Sequence, residues 1–75
     1  MANKTVKYPE IVLGFAQKVR ALRKQKKLSQ QEFAEAVGID RTYASQIERG
    51  IANPSLLVML SISSALNVHI TELLK

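Results

Sequence analysis

The acidic residues of this 75-residue chain, Glu10, Glu32, Glu35, Asp40, Glu48 and Glu72, are not set in catalytic pairs. No nucleophile–base set and no glycine-rich phosphate loop accompanies them. Cysteine is absent and His69 is the single histidine, which excludes a cysteine nucleophile, a disulfide framework and a multi-histidine or thiolate metal site. An enzyme, a metal and a cofactor are therefore not expected. What the chain does hold is positive charge. Eight cationic residues (Lys4, Lys7, Lys18, Arg20, Arg23, Lys24, Lys26 and Lys27) stand against Glu10 alone in residues 1–31, a net +7. Residues 32–75 carry three cations and five acids, a net −2, so the whole chain is at +5. A basic half on a small domain is the electrostatic footprint of a polyanion partner. Charge alone does not separate DNA from RNA, from an anionic membrane surface, or from a merely solvated helix face.

These charges need elements to hold them. Residues 1–8 read as a loose basic tail without periodicity, and residues 9–75 as one domain. From Pro9 the pattern is helical. Ile11, Phe15, Val19 and Leu22 recur at steps of four, four and three, which is one helix face, and the spacing predicts a helix from Pro9 to Lys26. Ser29 followed three residues later by Glu32 is a capping box. It predicts a second helix from Gln30 to Val37, stopped by Gly38 in a left-handed conformation. Asp40 is the next N-cap, opening a helix from Arg41 to about Arg49 with Ala44 and Ile47 turned inward and Gly50 at its end. Both helices are too short to stand alone, so packing must hold them. Ala34 would admit a close approach, with Ile39 and Ile47 beneath. Two short helices joined by a tight glycine-containing turn make a helix-turn-helix.

Beyond it, Asn53 is expected to cap and Pro54 to take the first position of a fourth helix rich in leucine, ending at Asn67. Val68, Ile70, Leu73 and Leu74 supply a short fifth helix, with His69 at its start or on the surface. The fold class is all-α, five short helices. Leu57, Met59, Leu60 and Ile62 span too wide an arc for one core stripe, which points to an exposed apolar patch and a homodimer contact. The uncharged stretch Gly50 to Thr71 is broken by serines, asparagines, a proline and a histidine and is not a membrane span. Met1 to Lys7 carries no apolar signal core. With no cysteine, these features fit the bacterial cytoplasm, at the nucleoid, and no membrane partner.

The run Leu28 to Ser55 resembles the helix-turn-helix of the phage-repressor and Cro-like family. The matching features are Leu28-Ser29-Gln30, Ala34, Gly38-Ile39, Ile47-Glu48 with Gly50, and Pro54-Ser55. The chain's size and the string Ile39-Asp40-Arg41-Thr42-Tyr43 are most similar to the controller proteins of restriction–modification systems. The same string also fits prophage repressors and antitoxin-type autoregulators. The resemblance implies a lambda-repressor-like domain that regulates transcription by binding palindromic operators in double-stranded DNA as a dimer. Arg41, Thr42 and Gln46 would contact bases in the major groove, and Gln30, Tyr43, Ser45 and Arg49 the DNA backbone. Arg23 and Glu48 would form a buried structural ion pair. Glu35 would be the activation contact, touching the polymerase sigma subunit. Set against all this stands a reading of another class, a helical protein-binding adaptor whose basicity is incidental.

Overall fold

The computed structural model describes residues 9–75, and the expected tail, residues 1–8, lies outside them. Five helices follow in order: α1 (Pro9–Gln25), α2 (Gln30–Val37), α3 (Arg41–Glu48), α4 (Leu56–Leu66) and α5 (Ile70–Leu73). No strand occurs among the described residues.

Each helix boundary has a local chemical cause. In α2 the Ser29 hydroxyl accepts from the Glu32 N–H at 3.0 Å, and the Glu32 carboxylate accepts from the Ser29 N–H at 2.8 Å. This is the expected capping box, and Gly38 closes the helix at φ 91°. Asp40 opens α3 by accepting the Tyr43 N–H at 2.7 Å. α1 ends in an unexpected way. Lys27 adopts φ 60°, its N–H donating to Lys24 O at 2.9 Å while Leu28 N–H donates to Arg23 O at 3.2 Å. The two bonds satisfy carbonyls that the helix end would otherwise leave open. Asn67 does the same for α4 at φ 56°.

The start of α4 corrects the sequence reading. Neither Asn53 nor Pro54 begins it; Ser55 is the N-cap, its hydroxyl accepting from Val58 N–H at 3.2 Å. A proline and a serine in succession both carry start signals. The serine side chain supplies an acceptor that the ring of Pro54 lacks. His69 caps α5, where its Nδ1 accepts from Thr71 N–H at 3.3 Å.

All five helices feed one core. Val19, Phe33, Ile47, Ile62, Leu66 and Leu73 are fully buried. α2 packs on α3 and α4, while α1 lies against α3, α4 and α5. Ala34 and Ala44 are completely inaccessible, and their small side chains let α2 and α3 approach closely. Leu22 and Ile39 pack half-buried against this cluster. Ile11 departs from the expected stripe: it is 60% exposed, lining shallow recesses at the bundle surface with Phe15 and Leu74 rather than entering the core. Gly50 follows α3 at φ 76°, and a Cβ there would sit 2.6 Å from Leu13 Cδ2. The left-handed backbone strains any other residue there, and the Leu13 side chain would also have to shift. Among the described residues no helix is long and apolar enough to cross a membrane.

Candidate nucleic-acid interface

α3 has two chemically opposite faces. Ala44, Ile47 and Glu48 point inward and are buried. Arg41, Thr42 and Arg49 are exposed, with Ser45 and Gln46 half-buried between them. These five side chains and Gln30 of α2 line one shallow polar depression of about 270 Å³. The structure thus gathers the three residues expected at bases, Arg41, Thr42 and Gln46, with three of the four expected at the backbone. The fourth, Tyr43, stands apart. It is half-buried and packs against the core cluster.

The inner side of this face is held by charge. Arg23 of α1 meets Glu48 of α3 through Nε–Oε2 at 2.6 Å and Nη2–Oε1 at 3.0 Å. Its remaining Nη1 donates to Leu28 O at 2.8 Å. Gln30 Nε2 adds a bond to Glu48 Oε1 at 3.3 Å. The pair is buried and two-pronged, so it fixes the angle between α1 and α3 more than it adds net stability. It also orients Gln30. The sequence reading missed this link, and nothing short of the folded register would have revealed it.

Outside the pair the charge is uncompensated. Among the described residues neither Arg41 nor Arg49 has an ion-pair partner. The capping box occupies the N–H groups of Ser29 and Glu32, and Phe33 N–H begins the helical ladder by donating to Ser29 O. Gln30 and Gln31 N–H therefore have no helical acceptor, and they sit at the positive end of the α2 dipole. The arrangement presents guanidinium, hydroxyl, amide and backbone donors on one open surface. Such a surface can grip phosphate oxygens and pair with base edges. No group of acidic or histidine side chains among the described residues is placed to hold a metal.

The other expected sites fall elsewhere. Leu57 is 75% exposed and Leu60 44% exposed. Ile62 is fully buried in the monomer core and is withdrawn as a dimer contact, and Met59 is half-buried against the core. α4 is apolar around most of its circumference, so periodicity alone could not tell its inner side from its outer. Leu56, which the sequence reading left out, is 61% exposed beside Leu57. Glu35 lies exposed on α2 with its carboxylate accepting from Gln31 Nε2 at 3.0 Å, while Glu32 is engaged in its cap.

Known proteins share this arrangement. The sequence model of the helix-turn-helix family matches residues 19–73. The control protein C.MunI of a Mycoplasma species is 43% identical over 65 residues, spanning 85% of this chain and 88% of that protein. The crystal structure of the restriction-modification controller protein C.AhdI from Aeromonas hydrophila superposes with a TM-score of 0.80 at 40% identity, over 83% of this chain and 94% of that one. The structure of SinR from Bacillus subtilis, a master regulator for biofilm formation solved in complex with DNA, gives a TM-score of 0.77 at 35% identity, over 81% of this chain and 98% of that one. With a capped α2, a glycine turn and an α3 whose polar side faces out, the chain belongs to the helix-turn-helix family.

Proposed function

We propose that the protein is a transcriptional regulator that reads a specific sequence in duplex DNA, acting as the controller of a restriction–modification system. One observation carries the reading: Arg41, Thr42, Ser45 and Gln46 of α3, its C-cap Arg49 and Gln30 of α2 line a single open depression. An α-helix fits the major groove, where Arg41 can pair with guanine O6 and N7, Gln46 with adenine, and Thr42 with a base edge or a thymine methyl. Gln30 and the free N–H groups at its helix start take a phosphate, and Arg49 takes another. The relatives named as control proteins, similar over most of both chains, support the controller role.

A single α3 reads only a few base pairs, so the operator is a palindrome read by two copies whose recognition helices lie ~34 Å apart. α4 and α5 are the two-fold contact. They give no residue to the recognition depression, and Leu56, Leu57 and Leu60 are left exposed on α4. Sedimentation at micromolar concentration should find a dimer; a monomer both free and on DNA would remove this part. Glu35 is the contact to the polymerase sigma subunit, and Glu35→Gln should keep operator binding and lower transcription.

Selection of bound fragments from random-sequence duplexes tests the central claim. Enrichment of one two-fold-symmetric pattern is expected, with affinity that falls steeply with salt. No enrichment, together with salt-insensitive capture of a protein, would favour a helical adaptor instead.

A further inference from the structure

A second polar depression, about 240 Å³ in volume, adjoins the first. Arg20 and Arg23 of α1, Gln30 of α2, Ser45 and Glu48 of α3, and Arg49 at the α3 C-cap line it. Gln30, Ser45 and Arg49 also line the recognition depression, so the two form one continuous surface across three helices. Their charges differ in a useful way. Arg23 and Glu48 neutralise one another at 2.6 Å, and both are buried. Arg20 is exposed and has no ion-pair partner among the described residues, and the same holds for Arg49. The floor of the second depression is therefore neutral and rigid, and its two rims, Arg20 and Arg49, are positive. Arg20 contributes nothing to the core, since it sits off the stripe formed by Phe15, Val19 and Leu22.

We infer that Arg20 is a further DNA-backbone contact, gripping a phosphodiester of the strand that leaves the recognition depression over the junction of α1 and α3. The inference rests on the regulator reading and extends the interface from the two helices of the motif to α1. Arg20 from α1 and Arg49 from the end of α3 line the same depression, so a strand crossing it can meet both. The Arg23–Glu48 pair ties α1 to α3 and so holds together the two elements that carry them. A contact of this kind carries no base information. It sets the register and pitch of α3 in the groove and adds to affinity for every sequence alike.

The experiment uses the full chain and two duplex probes: the sequences enriched from the random pool, and an unselected pool. Affinity is measured across a salt series for the unmodified protein, Arg20→Gln and Lys24→Gln. Lys24 is exposed on the same helix but lines neither depression, so it controls for the loss of one diffuse charge. Arg20→Gln should reduce the salt slope by ~0.9, one phosphate's worth, on both probes. The ranking of sequences and the thermal midpoint should stay unchanged, and Lys24→Gln should change the slope by less. Equal slopes for the two variants, or no change with Arg20→Gln, would overturn the assignment of Arg20 while leaving the regulator reading intact. Failure of the unmodified protein to bind either probe would overturn that reading and this contact with it.

Discussion

The inner and outer faces of α3 and its C-cap are built from nine consecutive residues, yet they solve opposite problems. On the inner face Ala44 and Ile47 are sealed in the core, and both oxygens of Glu48 are bonded to Arg23. On the outer face Arg41, Thr42 and Arg49 stay exposed, with donors that find no ion-pair partner among the described residues. An inward hydrogen bond left unmade would cost stability; an outward one kept unmade is what a ligand can use. Stability and recognition are thus separated by a rotation about one helix axis. A substitution on one face should change melting and a substitution on the other should change binding.

The sharpest test of the inner face is Glu48→Ala. It strands the buried Arg23 side chain, 11% exposed, without its carboxylate, and should cost roughly 3–5 kcal/mol of stability. For a domain of this size that is a large share of the whole margin, so thermal denaturation should show a steep drop or no cooperative transition. Replacing both partners by methionine should recover much of the loss, because no buried charge is then left alone. Retention of the original midpoint by Glu48→Ala would mean that the pair does not order the inner face at all.

On the outer face Arg41→Ala should cost about 1–3 kcal/mol of binding to the selected operator and relax the preference at one base pair. Its thermal midpoint should be unchanged, since Arg41 is exposed and is not part of the hydrophobic core. A drop in midpoint alongside the loss of binding would break the separation of the two faces.

Gln30 is where that separation is expected to fail. Its amide bonds Glu48 Oε1 at 3.3 Å on the inner side, while its side chain lines the recognition depression on the outer. Gln30→Ala should therefore weaken binding to all duplexes alike and also lower stability, each by roughly 1.5–3 kcal/mol, the worth of a hydrogen bond to a charged group. Calorimetry and binding titration on the same sample measure both. An effect confined to binding would show that the Glu48 bond is incidental.

How much of this was legible beforehand depended on whether the signal was local. The capping box Ser29 to Glu32 and the glycine at 38 are complete in the sequence, because donor, acceptor and left-handed residue all lie within one helix and its edge. Asp40 as a cap and the inward positions of Ala44 and Ile47 placed α3, while its outward residues Arg41, Thr42 and Gln46 were named only through the resemblance to the repressor family. Signals that several residues shared were ambiguous. Asn53, Pro54 and Ser55 all favour a helix start, and only the reach of the Ser55 hydroxyl to Val58 N–H settled the register of α4. Ile62 was misplaced because an almost uniformly apolar helix carries no directional pattern. Ile11 kept the right spacing but sits at the bundle surface beside Phe15 and Leu74 instead of in the core. Lys27 gave no signal at all, since lysine has no preference for the left-handed conformation that closing α1 imposes on it.

Lys27 supplies the smallest test, and one aimed at the independence of the two faces. A non-glycine residue at φ 60° costs roughly 1–2 kcal/mol, while glycine gives up about 0.5–1 kcal/mol of extra chain entropy on folding. Lys27→Gly should therefore stabilise the fold by roughly 0.5 kcal/mol, the difference between those two effects. Lys27 is exposed and lines neither polar depression. The variant should melt slightly higher while its ranking of operator sequences is unchanged, and its overall affinity should fall only by the diffuse attraction of one lost charge, which added salt suppresses. A change in base preference would mean that the end of α1 transmits its geometry through Arg23 to α3. The inner face would then govern the outer one rather than merely support it.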